Sequence, residues 1–242
     1  MKPLLRWIGL LVLTLFVLEL FFVGRIAFMV VIDPQSTTFQ RSEAWHIAHD
    51  KGDLRWRQQW VAYDQISDHL KRAVIASEDD GYTDHDGVDW DAVEKAWARN
   101  SRAQELAEQR AAAGRKARTA KVVGGSTITQ QLAKNLFLSG ERTLLRKGQE
   151  FMLALVLEAI LDKRRILEIY LNNVEWGEGV FGAQAAAEHY FRKSASRLSA
   201  DEAARLAVML PRPKYFEKLP GSAYLAGRAS TITARMPHAR LP

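Results

Sequence analysis

Phe151 to Leu161 reads FMLALVLEAIL, an apolar run in which Glu158 is the only polar residue. It closes a helical pattern that begins at Arg146. Eleven residues rise about 17 Å as a helix, too little for a hydrocarbon layer of about 30 Å. An apolar helix too short to span a bilayer belongs inside a folded domain, so this one is read as the buried central helix. Other helical patterns surround it. Ile66, Leu70, Ala73, Val74 and Ser77 mark one face of a helix over Ile66–Asp79, which points the Glu78 carboxylate inward. Further helices are expected from Asp89 past Trp97, over Lys163–Asn172 and over Phe181–Phe191. Thr127 before Gln130 and Ser199 before Glu202 have the capping-box spacing, and the second of these helices stops before Pro211. Strand candidates are confined to Val61–Tyr63 and Lys121–Val123. The spacing predicts an all-α domain of about 200 residues.

The chain has 242 residues, 48% of them apolar and 26% charged, which excludes a disordered chain and a multi-span membrane protein. It contains no cysteine, so a disulfide framework, a thiol nucleophile and a thiolate metal site are all excluded. Lys and Arg number 34 against 28 Asp and Glu, and the net charge of +6 calls for an anionic partner. Trp7 to Val23, WIGLLVLTLFVLELFFV, and the apolar stretch to Ile32 are long enough to cross a membrane as a helix. Lys2 and Arg6 precede the run and place residues 1–6 in the cytoplasm by the positive-inside rule. Residues 7–32 are thus read as an uncleaved transmembrane signal anchor, 33–59 as a polar, irregular linker, and 60–242 as the domain outside the cytoplasm. Nucleic acid is then excluded as a partner. Glu19 is read as a tolerated acid near the outer interface. Arg99 to Lys121 holds seven Lys and Arg against Glu105 and Glu108, so most of the excess charge sits in one tract. Two readings of it stand side by side: a surface for an anionic lipid-borne ligand, or a solvated loop.

Five blocks carry candidate chemistry. Glu78-Asp79, with Tyr82 and His85 following, sets a carboxylate at the end of an apolar helical face, where burial raises its pKa toward useful proton transfer. GGSTITQQLAKN, residues 124–135, joins flexible glycines to a helix N-terminus and puts Gln130, Gln131 and Lys134 on one face. Arg146-Lys147-x-x-Glu150 sets two cations and a carboxylate within one turn; alone it is an ordinary i,i+4 ion pair. KRRILEIYLN, residues 163–172, and Gly177-x-Gly179-x-x-Gly182 look structural. The glycine motif is not read as a dinucleotide site, because no strand is expected before it.

In combination, WVAYDQIS, AVIASED, GGSTITQQLAKN, RKGQE, ILEIYLN, the run into AAAEHYF and LSADEAARLAVMLPRP resemble the family 51 glycosyltransferases. This is the peptidoglycan glycosyltransferase domain of class A penicillin-binding proteins and of monofunctional transglycosylases. The likeness covers Trp60 to Pro213 with the motifs in family order. With about 30 residues left after Pro213, the monofunctional, membrane-anchored form is expected. The resemblance implies a lysozyme-like all-α fold and polymerisation of lipid II, with undecaprenyl-pyrophosphate-linked glycan as donor. The GlcNAc 4-hydroxyl of lipid II attacks with inversion to give a β-1,4 bond. Glu78 matches the general base and Glu150 the second carboxylate, near the donor. Lys134, Arg146 and Lys147 match cations that neutralise the departing pyrophosphate. Ser126, Gln130, Gln131 and Asn135 match cleft-lining positions, and Asp79, Tyr82 and His85 match first-motif positions. No cofactor is required by this likeness. It leaves room for a divalent cation, Mg or Mn, for which no ligand cluster in the sequence asks. The implied partners are lipid II, its polymer, the lipid bilayer of the bacterial inner membrane, and cell-wall synthesis or division proteins.

The chain departs from the family pattern in places. Tyr82 replaces the usual Phe, Asp80-Gly81 makes an acidic, flexible approach to it, the Arg99–Lys121 tract is long, and the tail from Gly221 is less typical. Two rival readings share some features: a lytic transglycosylase or lysozyme-like hydrolase, and a non-catalytic scaffold for wall assembly. The cation cluster and GGSTITQQ argue against the first, and the intact acids against the second.

Overall fold

A computed structural model describes residues 2–112, 125–138, 140–141 and 143–242. Helices dominate it, as expected. The first, α1 (Lys2–Phe28), is long and apolar enough to cross a membrane, and its side chains are exposed over most of their length. Its last turn behaves differently. Ile26 and Met29 are buried in the domain core, and Phe22 meets Phe137 edge-on at 5.4 Å. Arg165 donates Nε to the Met29 carbonyl at 2.8 Å and pairs with Asp33 at 2.7 Å. The end of the apolar helix is therefore packed into the domain.

The segment read as an irregular linker contains α2 (Thr38–Lys51), opened by a capping box between Thr37 and Gln40 and closed at Gly52. Its composition is too polar to show an apolar stripe, so only the cap spacing could have revealed it. Then come α3 (Asp68–Glu78), α4 (Trp90–Ala112), α5 (Ile128–Phe137), α6 (Leu144–Ile160), α7 (Lys163–Asn173), α8 (Ala183–Phe191), α9 (Ala200–Met209), the short α10 (Pro213–Phe216) and α11 (Ala223–Arg235). The capping boxes expected at Thr127 and Ser199 are both present. Helix α4 runs well beyond Trp97 into the basic tract; residues 113–124, including the rest of that tract and the strand candidate Lys121–Val123, lie outside the described residues.

The central-helix reading of Phe151–Leu161 needs correction. In α6 only one face is buried, through Glu150, Leu153, Ala154 and Leu157, while Met152 and Leu155 are about half exposed. An all-round apolar pattern does not distinguish a core helix from one with a second face to lipid or a partner.

Strand pairing also falls elsewhere. β1 (Arg57–Gln58), β2 (Glu175–Gly177) and β3 (Val180–Phe181) form a small sheet in the order β1-β3-β2. Val61 is not in a strand: its N–H and C=O bond the Asn172 side chain, both at 2.9 Å. A strand therefore does accompany the glycine motif, with Gly179 in the β2–β3 turn at φ +70° against the Arg55 carbonyl. A β-hairpin is not the strand–helix unit that a dinucleotide site needs, so that exclusion stands on different grounds.

Candidate active site

Ser67 caps α3, whose apolar face buries Leu70, Ala73, Val74 and Ala76 and delivers Glu78 at its end. Gln131, on α5, donates Nε2 to Glu78 Oε2 at 3.1 Å, and Ser77 Oγ donates to Oε1 at 3.2 Å. Burial drives the Glu78 pKa up; the Gln131 and Ser77 hydrogen bonds and the Lys134 charge pull it back, while neighbouring Asp79 adds to the rise.

Asp79 turns into the protein. Its Oδ2 accepts the Ile128 N–H at the start of α5 at 2.9 Å, and its Oδ1 takes the His85 Nε2 at 2.9 Å. A carboxylate at a helix N-terminus satisfies unpaired donors and favours the dipole. Thr127 Oγ1 donates to the Gly87 carbonyl at 2.6 Å, and Gly87, at φ +85°, lies against α6, where a Cβ would strike Glu158. These contacts fasten the loop after Glu78 to the head of α5.

A cavity of about 310 Å³ opens beside this junction, lined from α5 by Gln131, Lys134 and Asn135 and from α6 by Arg146, Lys147 and Glu150, with Ser126 between. Glu150 is buried, accepts Arg146 Nη1 at 2.7 Å and pairs with Lys147 Nζ; that same Nζ donates to Ser126 Oγ at 3.0 Å. The two candidate acids thus belong to one site through Gln131, which lines the cavity and bonds Glu78. An i,i+4 pair on an exposed helix would be a weak feature; with the carboxylate buried it becomes a built one.

Seven of the twelve site residues expected from sequence line the cavity, Ser126, Gln131, Lys134, Asn135, Arg146, Lys147 and Glu150, and Glu78 joins them through its bond from Gln131. Asp79 and His85 form the buried layer beneath them. Tyr82 and Gln130 lie away from the cavity and from this layer. Tyr82 is wholly buried, its hydroxyl donating to the Lys163 carbonyl at 2.7 Å with the Lys163 ammonium over its ring. Gln130 is buried as the far half of the capping box, its Oε1 accepting the Thr127 N–H at 3.2 Å. Both residues hold the scaffold of the site.

Three features were invisible in the sequence. Tyr170, on α7, donates its hydroxyl to Gln131 Oε1 at 2.9 Å; burial, with the Glu78 charge nearby, raises its pKa and keeps it protonated. Glu158 accepts Thr129 Oγ1 at 2.6 Å and Lys163 Nζ at 2.7 Å, tying α5, α6 and α7. Phe39, from α2, lines the cavity. Tyr170 lies in the block read as structural, and nothing in its spacing marks it as a neighbour of Gln131. Among the described residues no group of three or more His, Cys, Asp or Glu side chains is arranged to hold a metal ion.

The transglycosylase family profile matches residues 48–237. A biosynthetic peptidoglycan transglycosylase of Paraburkholderia phytofirmans is 51% identical over 224 residues, spanning 93% of this chain and 87% of that protein. Proteins of the same description from Paraburkholderia xenovorans, at 50% over 224 residues, and Burkholderia vietnamiensis, at 52% over 224 residues, cover 93% of the chain and 87% and 85% of their own lengths. The buried Glu150, the part-buried Glu78, the cation-lined cavity and this extent of likeness agree: the chain belongs to the peptidoglycan transglycosylase family and is a glycosyltransferase enzyme.

Proposed function

We propose that the enzyme polymerises lipid II, transferring the undecaprenyl-pyrophosphate-linked glycan to the 4-hydroxyl of the incoming GlcNAc with inversion. The reading is carried by one observation: Gln131 bonds Glu78 while lining the cavity that holds Glu150, Arg146 and Lys147. Glu78, whose carboxyl is biased toward protonation, is the general base. It takes the acceptor O4 proton as O4 bonds to the donor anomeric carbon and the bond to the pyrophosphate oxygen breaks. The proton then passes to solvent, and the pyrophosphate leaves as an anion. Lys134, Arg146 and Lys147 meet that charge in a partly dry site, where fixed cations act more strongly than in water. Glu150 holds Arg146 and Lys147 in place and faces the donor. A divalent cation, Mg or Mn, would be an addition carried on the substrate's own phosphate oxygens.

In this reading residues 7–32 anchor the chain in the inner membrane, 1–6 lie in the cytoplasm, and the domain from residue 60 works outside it. Ile26 and Met29, at the end of that segment, are buried in the domain, so the last part of the anchor belongs to the domain and the site is held close to the bilayer that carries the substrate. Cell-wall synthesis or division proteins are the expected protein partners.

The test is incubation of the purified full chain, in detergent or vesicles, with labelled lipid II. High-molecular-weight glycan that a muramidase digests, and that Glu78→Gln does not make, is the expected result. Absence of polymer from a folded, lipid-competent preparation overturns the reading, and shortening of preformed glycan would favour the hydrolytic alternative.

A further inference from the structure

The C-terminal segment returns to the helix that carries Glu78. Helix α11 and the turn Met236–His238 pack against α3; Met236 and Ala239 are buried, and Leu241 is partly buried against the core. Arg72, on α3, donates Nη1 to the Ala239 carbonyl. Two arginines of this segment then reach past the end of α3 to the loop behind Glu78. Arg235 Nη2 lies 3.1 Å from Asp80 Oδ2, and Arg240 Nη1 lies 3.6 Å from Asp84 Oδ1. Asp80 directly follows Asp79, and Asp84 directly precedes His85, so both pairs fall just inside the loop that the Asp79–His85 bond closes.

We propose that residues 235–240 act as a positioning clamp for the catalytic loop, with Arg235 and Arg240 holding Asp80 and Asp84. Either pair alone is exposed and weak. The Arg72 bond and the burial of Met236 and Ala239 fix the segment first, so each pair forms with little further ordering of the chain. The buried Tyr82 holds the inner side of this loop, and the two arginine pairs act on its exposed side. Its turn bonds run from Tyr82 N–H to the Asp79 carbonyl at 3.0 Å and from Asp84 N–H to the Gly81 carbonyl at 2.8 Å, with Gly81 between. The clamp explains together the acidic Asp80 and Asp84 and the basic tail. Its catalytic consequence rests on the reading of Glu78 as the base.

The test uses the full chain carrying both Arg235→Gln and Arg240→Gln. Amide hydrogen exchange over residues 80–86 should quicken, kcat on labelled lipid II should fall about five-fold and KM should stay within about two-fold. Arg235→Asp should be worse than Arg235→Gln, and adding Asp80→Arg to it should restore kcat. Unchanged exchange overturns the clamp. Quickened exchange with unchanged kcat, or a kcat that the charge swap does not restore, overturns its role in positioning. If the unmodified enzyme makes no polymer, the polymerase reading fails, and the exchange measurement still decides the clamp.

Discussion

Tyr170 donates its hydroxyl to Gln131 Oε1 at 2.9 Å, and this fixes which end of the Gln131 amide faces Glu78. With Oε1 engaged, Nε2 is the atom presented to Glu78 Oε2, at 3.1 Å. The donor favours the ionised carboxylate, the form a general base needs, against a burial that disfavours it. Tyr170 is thus a positioning residue for Glu78, the proposed base, acting from a helix whose sequence reads as structural.

Tyr170→Phe should leave the fold intact and lower kcat about three- to ten-fold with little change in KM, since it frees one side-chain amide. The acid limb of the kcat–pH profile should move to higher pH, because the lost orientation removes a contribution that lowers the Glu78 pKa. Gln131→Leu should move that limb further in the same direction. A limb that stays in place in both variants would show that Glu78 does not titrate in it.

Glu78→Gln should abolish turnover yet raise thermal stability at neutral pH, by about 2–4 °C. A carboxyl whose pKa is raised on folding contributes stability at low pH and loses it as pH rises through the folded pKa. The gain from the amide should therefore disappear below the ordinary value of 4.5 and grow above it. Calorimetry at pH 4 and pH 8 checks the sign.

Lys147 connects Glu150 to Ser126, so Lys147→Met leaves the buried carboxylate with Arg146 alone. The loss should be about 1–3 kcal/mol in stability, together with a fall in kcat/KM for lipid II of about ten-fold or more. Adding Glu150→Gln should recover the stability and not the activity. Urea unfolding and turnover on the same preparations separate the two effects.

Away from the site, Glu175 shares Lys214 with Glu43, and burial pushes its pKa up to about 7. Its contribution to stability is full below the ordinary 4.5 and lost as pH rises through about 7. Glu175→Gln should accordingly match the unmodified chain near pH 4.5 and exceed it at pH 8, by up to roughly 3 kcal/mol. Equal unfolding midpoints at both pH values would refute this.

Much of the fold was legible wherever the pattern is local. The caps at Thr127 and Ser199, the inward face of α3 and the apolar N-terminal helix are set by neighbours within a few residues. The reading weakened where a pattern has two environments to choose from. Met152 and Leu155 are as apolar as the core residues beside them, and only the packing of α6 leaves them exposed. Tyr82 is expected at the site on motif position, and Gln130 on motif position and its helical spacing from Lys134; burial assigns both to the scaffold.

Residue types and spacing by themselves determined the helical class, the membrane-length N-terminal segment and the acids and cations that meet at the cavity. They did so because caps, apolar stripes and charged side chains act over a few residues. The partners of those side chains were decided only in the tertiary structure. Gln131 meets Tyr170 across 39 positions and Glu78 across 53, and Arg72 meets Ala239 across 167. Bonds over such separations form when helices pack, and their geometry is a property of the assembled core rather than of any segment within it.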